Sequence, residues 1–551
     1  MTRRAKNILF IMFDQLRFDY LSCAGHPSLK TPNIDRLAAR GIRFSNCYVQ
    51  SPVCGASRMS FYTGRYVHSH GAAWNGFPLK VGEMTLGDHL RPLGMDCFLV
   101  GKTHMRADAE GMQRLGLSPD SIIGARVAEC GFDVFERDDG MRPEGPDGAY
   151  DPRGAEAYNA YLRGKGYSSK NPWHDFANAG VDDGGEMASG WFMKNADKPA
   201  NIAEEDSETP YMTRRGMAFM EQVNPNKPWL CHLSYIKPHW PYIVPAPYHD
   251  MYGHNQVLPP VRDANEQKNP HPVYEQFMAN AIGQAFSHDE VRNKVVPAYM
   301  GLIKQCDDQM GVLFRWMEET ERMEDTMIVL TSDHGDYLGD HWLGEKDLFH
   351  APSVNVPLII YDPSSKADST RGTVCDALIE SIDLAATFIQ VAGGDVPDHI
   401  VEGHSLLPFL YGESPSGNWR EFVISEYNYS VTPMAAKLGV EPKDAVLYMV
   451  ADHHWKLIHA EGFGRPMLFD LKNDPNELDD LGESPAHEKI RTEMYEKLFR
   501  WSRRHAQRTT RSEADILDMR GRSRRKGVLL GVYDGSEVPD ELTAKYRGKI
   551  K

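Results

Sequence analysis

No apolar run in the 551-residue chain approaches the roughly 18 residues of a membrane-spanning helix, which argues against an integral membrane protein. Cysteine is scarce and scattered: eight residues, at positions 23, 47, 54, 97, 130, 231, 306 and 375, with no CxxC pair. That excludes a disulfide scaffold and fits a reducing cytoplasm. Met1–Lys6 is short and basic and runs straight into the apolar Asn7–Phe13 with no small-residue cleavage site, so no secretory signal is expected. Positive charge is in the minority, 61 Lys and Arg against 77 Asp and Glu, for a formal charge of −16. A general nucleic-acid or anionic-membrane binder is therefore not expected. A small anionic substrate stays open, because a local site can be cationic on an acidic protein. Internal repeats and low-complexity tracts are also missing.

What is there reads as an ordinary globular composition, 41% hydrophobic and 25% charged. The length suits two domains, one of them large. Five short apolar runs stand out: Asn7–Phe13, Cys97–Gly101, Trp229–Ile236, Met327–Thr331 and Val356–Tyr361. Near-continuous runs of this kind suit strands buried on both faces of a mostly parallel sheet. Between them, Asn33-IDRLAARG reads as a capped helix ending at Gly41, and Tyr299–Phe314 has helical spacing. The expectation is an α/β fold in which ligands bind at the carboxyl ends of strands. The Gly-, Pro- and Asp-rich stretch 107–213 reads as long irregular excursions walling a pocket. After Gly412 come short candidate strands, Phe422–Glu426, Val446–Val450 and Trp455–His459, then a helix over Pro485–Gln507. This gives a catalytic domain over 1–410 and a smaller α+β domain over 411–551.

The first run ends in Asp14-Gln15 and the fourth leads to Ser332-Asp333-His334-Gly335. Each places a carboxylate and a second ligand where a strand runs out. Together Asp14, Gln15, Asp333 and His334 offer a site for one hard divalent cation, and the imidazole tilts the choice toward Mn²⁺. A lone buried cysteine is usually a small core hydrophobe. Cys54 is set apart by its neighbours, Cys54-Gly-Ala-Ser-Arg58 followed by Thr63-Gly64-Arg65.

That segment resembles the signature of the type I, formylglycine-dependent sulfatases of the alkaline phosphatase superfamily, departing from the commonest form by Ala56 in place of Pro. Further segments resemble the family in order: Thr31-Pro-Asn-Ile-Asp-Arg-Leu-Ala, Gly101-Lys102-Thr-His104, Lys237-Pro-His239-Trp-Pro, Thr331–Gly335 with Lys346, Glu380–Thr387 and Leu468–Glu477. The resemblance covers roughly residues 6–481 and implies an alkaline-phosphatase-like mixed, mostly parallel sheet flanked by helices. It implies that a formylglycine-generating enzyme oxidises Cys54, whose aldehyde hydrate becomes the nucleophile and also a metal ligand. One divalent ion, Mn²⁺ or Ca²⁺, is implied with it.

The roles that follow from the resemblance are these. Lys102 and Lys346 neutralise the equatorial oxygens of an anionic ester. His239 is the acid for the leaving oxygen. His104 takes a proton from the second hydroxyl of the hydrate, Arg58 holds the hydrate, and Asn75 touches the bound anion. Asp14-Gln15 with Asp333-His334 resembles the branch holding phosphonate monoester hydrolases, choline sulfatase and promiscuous arylsulfatases. Lys102 with His104 instead resembles the sulfatases. Arylsulfatase-type sulfate monoester hydrolysis is the leading expectation. Phosphonate monoester and phosphodiester hydrolysis is the alternative or a second activity, and a non-catalytic anion-binding relative the outside reading.

The tail from Arg500 to Lys526 is basic and is followed by the apolar Val528–Tyr533. This arm is expected to dock on a neighbouring chain in a homodimer, or in a tetramer built as a dimer of dimers.

Overall fold

Strand β1 (Asn7–Asp14) is buried at every position. Its side chains divide between two cores: Ile8, Phe10 and Met12 enter one hydrophobic cluster, and Leu9, Ile11 and Phe13 another. This is the two-period alternation of a strand covered on both faces, and it explains why the run shows no polar alternation. The computed structural model describes residues 5–118, 120–140, 156–182, 184–415, 417, 419–504, 506, 509–520 and 533–543.

β1 lies inside an eight-stranded sheet. The other members are β2 (Ile42–Tyr48), β3 (Asp96–Gly101), β4 (Asp133–Arg137), β7 (Trp229–Pro238), β8 (Thr326–Ser332), β9 (Asn355–Tyr361) and β10 (Thr373–Glu380). Between β4 and β7 in the chain, β5 (Ala179–Val181) and β6 (Met187–Ser189) form a separate hairpin. The order in the large sheet is β10-β2-β9-β8-β1-β7-β3-β4. β9 runs antiparallel to both of its neighbours, and the remaining pairs are parallel. The carboxyl ends of β1, β3, β7 and β8 therefore open on one edge of the sheet. The helix Asp289–Glu319, which contains the expected Tyr299–Phe314 segment, packs on one face with the helices Pro32–Arg40 and Glu208–Gln222.

A second sheet follows in the order β11 (Val423–Asn428), β12 (Val446–Ala451), β13 (Trp455–Ala460), β14 (Met467–Asp470), all antiparallel. The helix Glu488–Ser502 covers one face through Met494, Leu498 and Trp501, which meet Ile424, Val450, Leu457 and Leu468. The opposite face, including Val423, Leu447 and Ile458, joins the core of the large sheet. Among the described residues, no helix is long and apolar enough to cross a membrane.

The stretch 107–213 is more regular than its composition implies. It carries the helices Ala109–Arg114 and Ile122–Ala128, strand β4 and the β5–β6 hairpin. Segments this short give too few periods for a pattern to show in sequence. Residues 141–155 and the apolar Val528–Val532 lie outside the described residues, as do residues 505, 507, 508 and 521–526 of the basic arm.

Candidate active site

Phe13 pairs with Ser332 across the β1–β8 ladder, so Asp14 and Asp333, each one residue further on, emerge side by side. Gln15 adopts left-handed backbone (φ 68°), and its amide donates to Asp333 Oδ1 at 3.1 Å. That conformation breaks the strand alternation, which would otherwise send neighbouring side chains to opposite faces. At the end of β3, Gly101 has φ 110°, and a Cβ there would sit 1.9 Å from Ser234 O. Only glycine lets β3 lie that close to β7 while the chain turns Lys102 inward.

The signature segment opens the buried helix Cys54–Thr63 at its first residue. An anion at this N-terminus meets the positive end of the helix dipole. Each residue then has a task. Cys54 Sγ lies 3.0 Å from His334 Nε2 and 3.1 Å from Lys346 Nζ. Gly55 donates its amide to Asn75 Oδ1 at 2.7 Å, and a Cβ there would crowd Asn75 Cα at 3.0 Å. Ser57 Oγ donates to Asp333 O at 2.6 Å. Arg58, one helical turn from Cys54, donates Nε to Asp333 Oδ2 (2.8 Å) and Nη2 to Asp14 Oδ2 (3.1 Å). Its Nη1 donates to Lys102 O and Ser234 Oγ, both at 2.8 Å. Four of the five guanidinium N–H donors thus tie β1, β3, β7 and β8 together. The guanidinium thereby sets the two carboxylates in place.

Two more cations face the same point. Lys102 Nζ is 2.5 Å from Asp14 Oδ2, and Lys346 Nζ lies 3.2 Å from His239 Nε2. Burial and Asp14 push the Cys54 thiol up, yet Lys346, His334 and Lys102 together leave it below the ordinary cysteine value. His239 Nδ1 faces Trp240 O at 2.7 Å, which places its proton there and turns the Nε2 lone pair toward Lys346. Burial, with Lys346 and Lys102 against the pull of Asp14, holds His239 well below the usual imidazole value. The neutral ring and the ammonium are therefore arranged as proton acceptor and donor.

His334 Nδ1 faces Gly335 O at 2.8 Å, leaving Nε2 as the inward atom, 3.7 Å from both Asp14 Oδ1 and Asp333 Oδ1. Asp14, Cys54, Asp333 and His334 offer ligand atoms all within 4.8 Å of one another. The amide of Gln15 supplies the test of fit. Its Nε2 donates to Asp336 Oδ2 (2.5 Å) and Tyr242 OH (3.1 Å), while its buried Oε1 has no hydrogen-bond partner. A buried acceptor without a donor is costly, and a cation beside the two carboxylates satisfies it. Despite burial, Asp333 and Cys54 push His334 up to about 9, which marks the same demand for positive charge. The donor set of carboxylates, amide oxygen and imidazole fits a divalent ion of the Mn²⁺ or Ca²⁺ kind.

Two sequence candidates stand at the rim. His104 is half-buried in left-handed backbone (φ 57°), on a turn held by Asp139 Oδ1, which accepts the amides of Thr103 and His104 at 2.8 Å each. Asn75 reaches the site through its bond to Gly55. Sequence reading missed Asp139, Tyr242, Asp336 and Lys237. Lys237 Nζ is buried and donates to Asn178 Oδ1 (3.0 Å) and Pro241 O (3.2 Å), bracing the turn that carries His239. Only Asp336 had a visible signal, three residues after Asp333 in the same segment. Lys237 stands in the quoted Lys237-Pro-His239 segment without a role assigned to it, and Asp139 and Tyr242 lie outside the quoted motifs.

The family model described as Sulfatase matches residues 6–394. The chain belongs to the sulfatase family. A second model, N-sulphoglucosamine sulphohydrolase, C-terminal, matches residues 339–504, which include the small sheet. This sulfatase-family hydrolase is 32% identical over 532 residues to the multifunctional alkaline phosphatase superfamily protein PehA of Trinickia caryophylli, covering 92% of this chain and 97% of that one. It is 26% identical to an arylsulfatase of Clostridium perfringens, covering 90% and 93%. Its fold superposes on the phosphonate monoester hydrolase SpPMH from Silicibacter pomeroyi with a TM-score of 0.79 at 27% identity, covering 91% and 96%. The mixed sheet with a C-terminal antiparallel domain is thus the alkaline-phosphatase-like fold of this family.

Proposed function

We propose that the protein hydrolyses sulfate monoesters of the arylsulfatase type, with a formylglycine derived from Cys54 as nucleophile, and accepts phosphonate monoesters and phosphodiesters at the same site. The observation that carries this reading is the position of Cys54. It sits buried at a helix N-terminus with Lys346, His334 and the Arg58-bound carboxylates converging on its sulfur. In the unmodified chain, Sγ stands where the oxygens of the aldehyde hydrate would lie.

Asp14, Gln15, Asp333 and His334 would hold one divalent ion. When bound, the ion supplies positive charge against the ester oxygens and makes a hydroxyl more acidic. Lys102 adds fixed positive charge where negative charge builds up, and Lys346 adds its own until its proton passes to His239. One hydroxyl of the hydrate gives its proton to Asp14 Oδ1, the carboxylate oxygen facing residue 54, its oxygen attacks sulfur or phosphorus in line, and the bond to the leaving oxygen breaks. The leaving oxygen takes its proton from His239, which is supplied through Nε2 by Lys346. His104 then takes the proton of the second hydroxyl. The carbon–oxygen bond to the anion breaks, the aldehyde re-forms, and water restores the hydrate. Arg58 holds the carboxylates in register throughout, and Asn75 fixes the helix start where the anion docks.

A second reading, phosphonate monoester hydrolysis as the main activity, is favoured by the structural likeness to SpPMH and to the phosphonate monoester hydrolase of Agrobacterium radiobacter (TM-score 0.76). Comparing kcat/KM for an aryl sulfate and an aryl phosphonate monoester decides between them. The proposal takes the first reading, so the sulfate should win. We also place the domain division near residue 410 and the protein in the cytoplasm, in keeping with eight free cysteines. The partners are a formylglycine-generating enzyme during maturation and a second copy of the chain, docked through the basic arm. Deleting the chain after Arg520 tests the last point. If the truncated protein keeps the full-length mass in light scattering, the arm is not the assembly element.

A further inference from the structure

Among the described residues, a second group of metal-competent side chains stands apart from the catalytic cluster: Glu266, His341 and His350. Glu266 Oε1 lies 2.6 Å from His341 Nδ1. The rings of His341 and His350 stack with centroids 3.7 Å apart and planes 4° apart. One ligand atom from each of the three lies within 4.8 Å of the others. Each ring brings a polar edge into the interior, which burial penalises unless it is paired.

We propose that Glu266, His341 and His350 form a second metal site, for a zinc-type divalent ion. Several observations support it. The donor set, two imidazoles and one carboxylate, is that of borderline transition ions rather than of Ca²⁺ or Mg²⁺. One ligand atom of each residue lies within 4.8 Å of the other two, and turning the stacked rings out of parallel is the rearrangement that ligation by both would require. His350 Nδ1 faces Tyr337 OH at 3.1 Å, which fixes the ring and leaves Nε2 as the ligand atom. Finally, the three residues line a cavity of about 290 Å³ with His271, Glu477 and Asp480, giving an ion and one or two waters a way in past acidic groups.

An ion would take the place between Glu266 Oε1 and His341 Nδ1 that their 2.6 Å contact now fills. Its place in the chain gives it a task. His341 and His350 bracket the segment that delivers Lys346 to Cys54, and Glu266 belongs to the separate segment packed beneath. An ion held by all three would clamp both ends of the Lys346 segment.

The test uses the untagged full-length chain, freed of metal with a chelator and dialysed against buffered Zn²⁺. Bound zinc is counted by mass spectrometry. Wild type should hold one more equivalent than Glu266→Ala and than His350→Gln at the same free zinc, and zinc should raise the Tm of wild type more than that of Glu266→Ala. The difference between proteins is the readout, so zinc in the catalytic site does not obscure it. His350 is packed in the core and its variant risks misfolding; Glu266 is half-buried, and its variant alone is decisive. Equal zinc in wild type and Glu266→Ala overturns the proposal.

Discussion

Gln15 and Asp336 are joined by a 2.5 Å hydrogen bond from Nε2 to Oδ2, and Tyr242 donates its hydroxyl proton to the same oxygen at 2.6 Å. The carboxylate and the phenol fix which end of the Gln15 amide is the nitrogen, and so which end faces the carboxylates of Asp14 and Asp333. The orphaned Oε1 is a consequence of that arrangement. Asp336→Asn should free the amide to flip. Outer partners of metal ligands typically contribute ~10–100-fold in affinity, and a loss in that range is expected for Mn²⁺ measured by chelator competition. Tyr242→Phe should lose less, because the carboxylate stays. Unchanged affinity in Asp336→Asn would show that Gln15 is not held for a metal.

Removing the metal should abolish turnover, and Mn²⁺ or Ca²⁺ should restore it. Asp333→Asn should weaken restoration further than a lost ligand alone, since Asp333 also holds Arg58 Nε and the Gln15 amide. Activity that survives exhaustive chelation, with metal shown absent by elemental analysis, would contradict this.

His239→Ala should cost most on esters of weakly acidic alcohols and least on esters of acidic phenols, because an acidic leaving group needs little protonation in the transition state. A loss of ~10²–10⁴-fold is expected at the weakly acidic end, the usual range for general acid catalysis. The measurement is the slope of log kcat/KM against leaving-group pKa, which should steepen in the variant. An equal loss across the series moves the acid role elsewhere.

Glu426 gives a prediction for stability against pH. Burial, opposed by the His68 amide, pushes its carboxyl up to about 8 in the folded protein, against about 4.5 for an unperturbed glutamate. Between those values the folded chain binds the proton and the unfolded chain does not. This contribution is full below the unfolded value and is lost as pH rises through the folded one, by at most ~1.4 kcal/mol per unit. Glu426→Gln keeps the oxygen that accepts from His68 and removes the titration. Its Tm should fall less than that of wild type between pH 6 and pH 9. Parallel Tm curves would show that Glu426 is ionised throughout.

The sequence made legible what is carried by continuous runs and contiguous motifs. The strands bearing Asp14, Lys102, His239 and Asp333 could be read because burial on both faces leaves an uninterrupted apolar run. Strands β2, β4 and β10 could not, because half-buried or exposed positions interrupt the buried run in each. The segment Cys54–Arg58 pointed to the chemistry, but not to the division of labour that geometry reveals, in which Ser57 and Arg58 organise Asp333 and Asp14. Tyr242, Asp139 and Lys237 act through contacts between residues distant in the chain, and a single sequence carries no trace of such contacts. Asp336 was in view beside Asp333, but its role depends on Gln15, more than three hundred residues away.

The central claim is that Cys54 acts as formylglycine. The most direct measurement is quantitative mass spectrometry of the Cys54 peptide across preparations of different specific activity, made with and without a co-expressed formylglycine-generating enzyme. Turnover of an aryl sulfate or phosphonate monoester should rise in proportion to the fraction of peptide carrying the aldehyde. Cys54→Ala, folded with an unchanged Tm, should lose on the order of 10³-fold or more in kcat. Full activity in a preparation whose Cys54 is entirely unmodified would contradict the account.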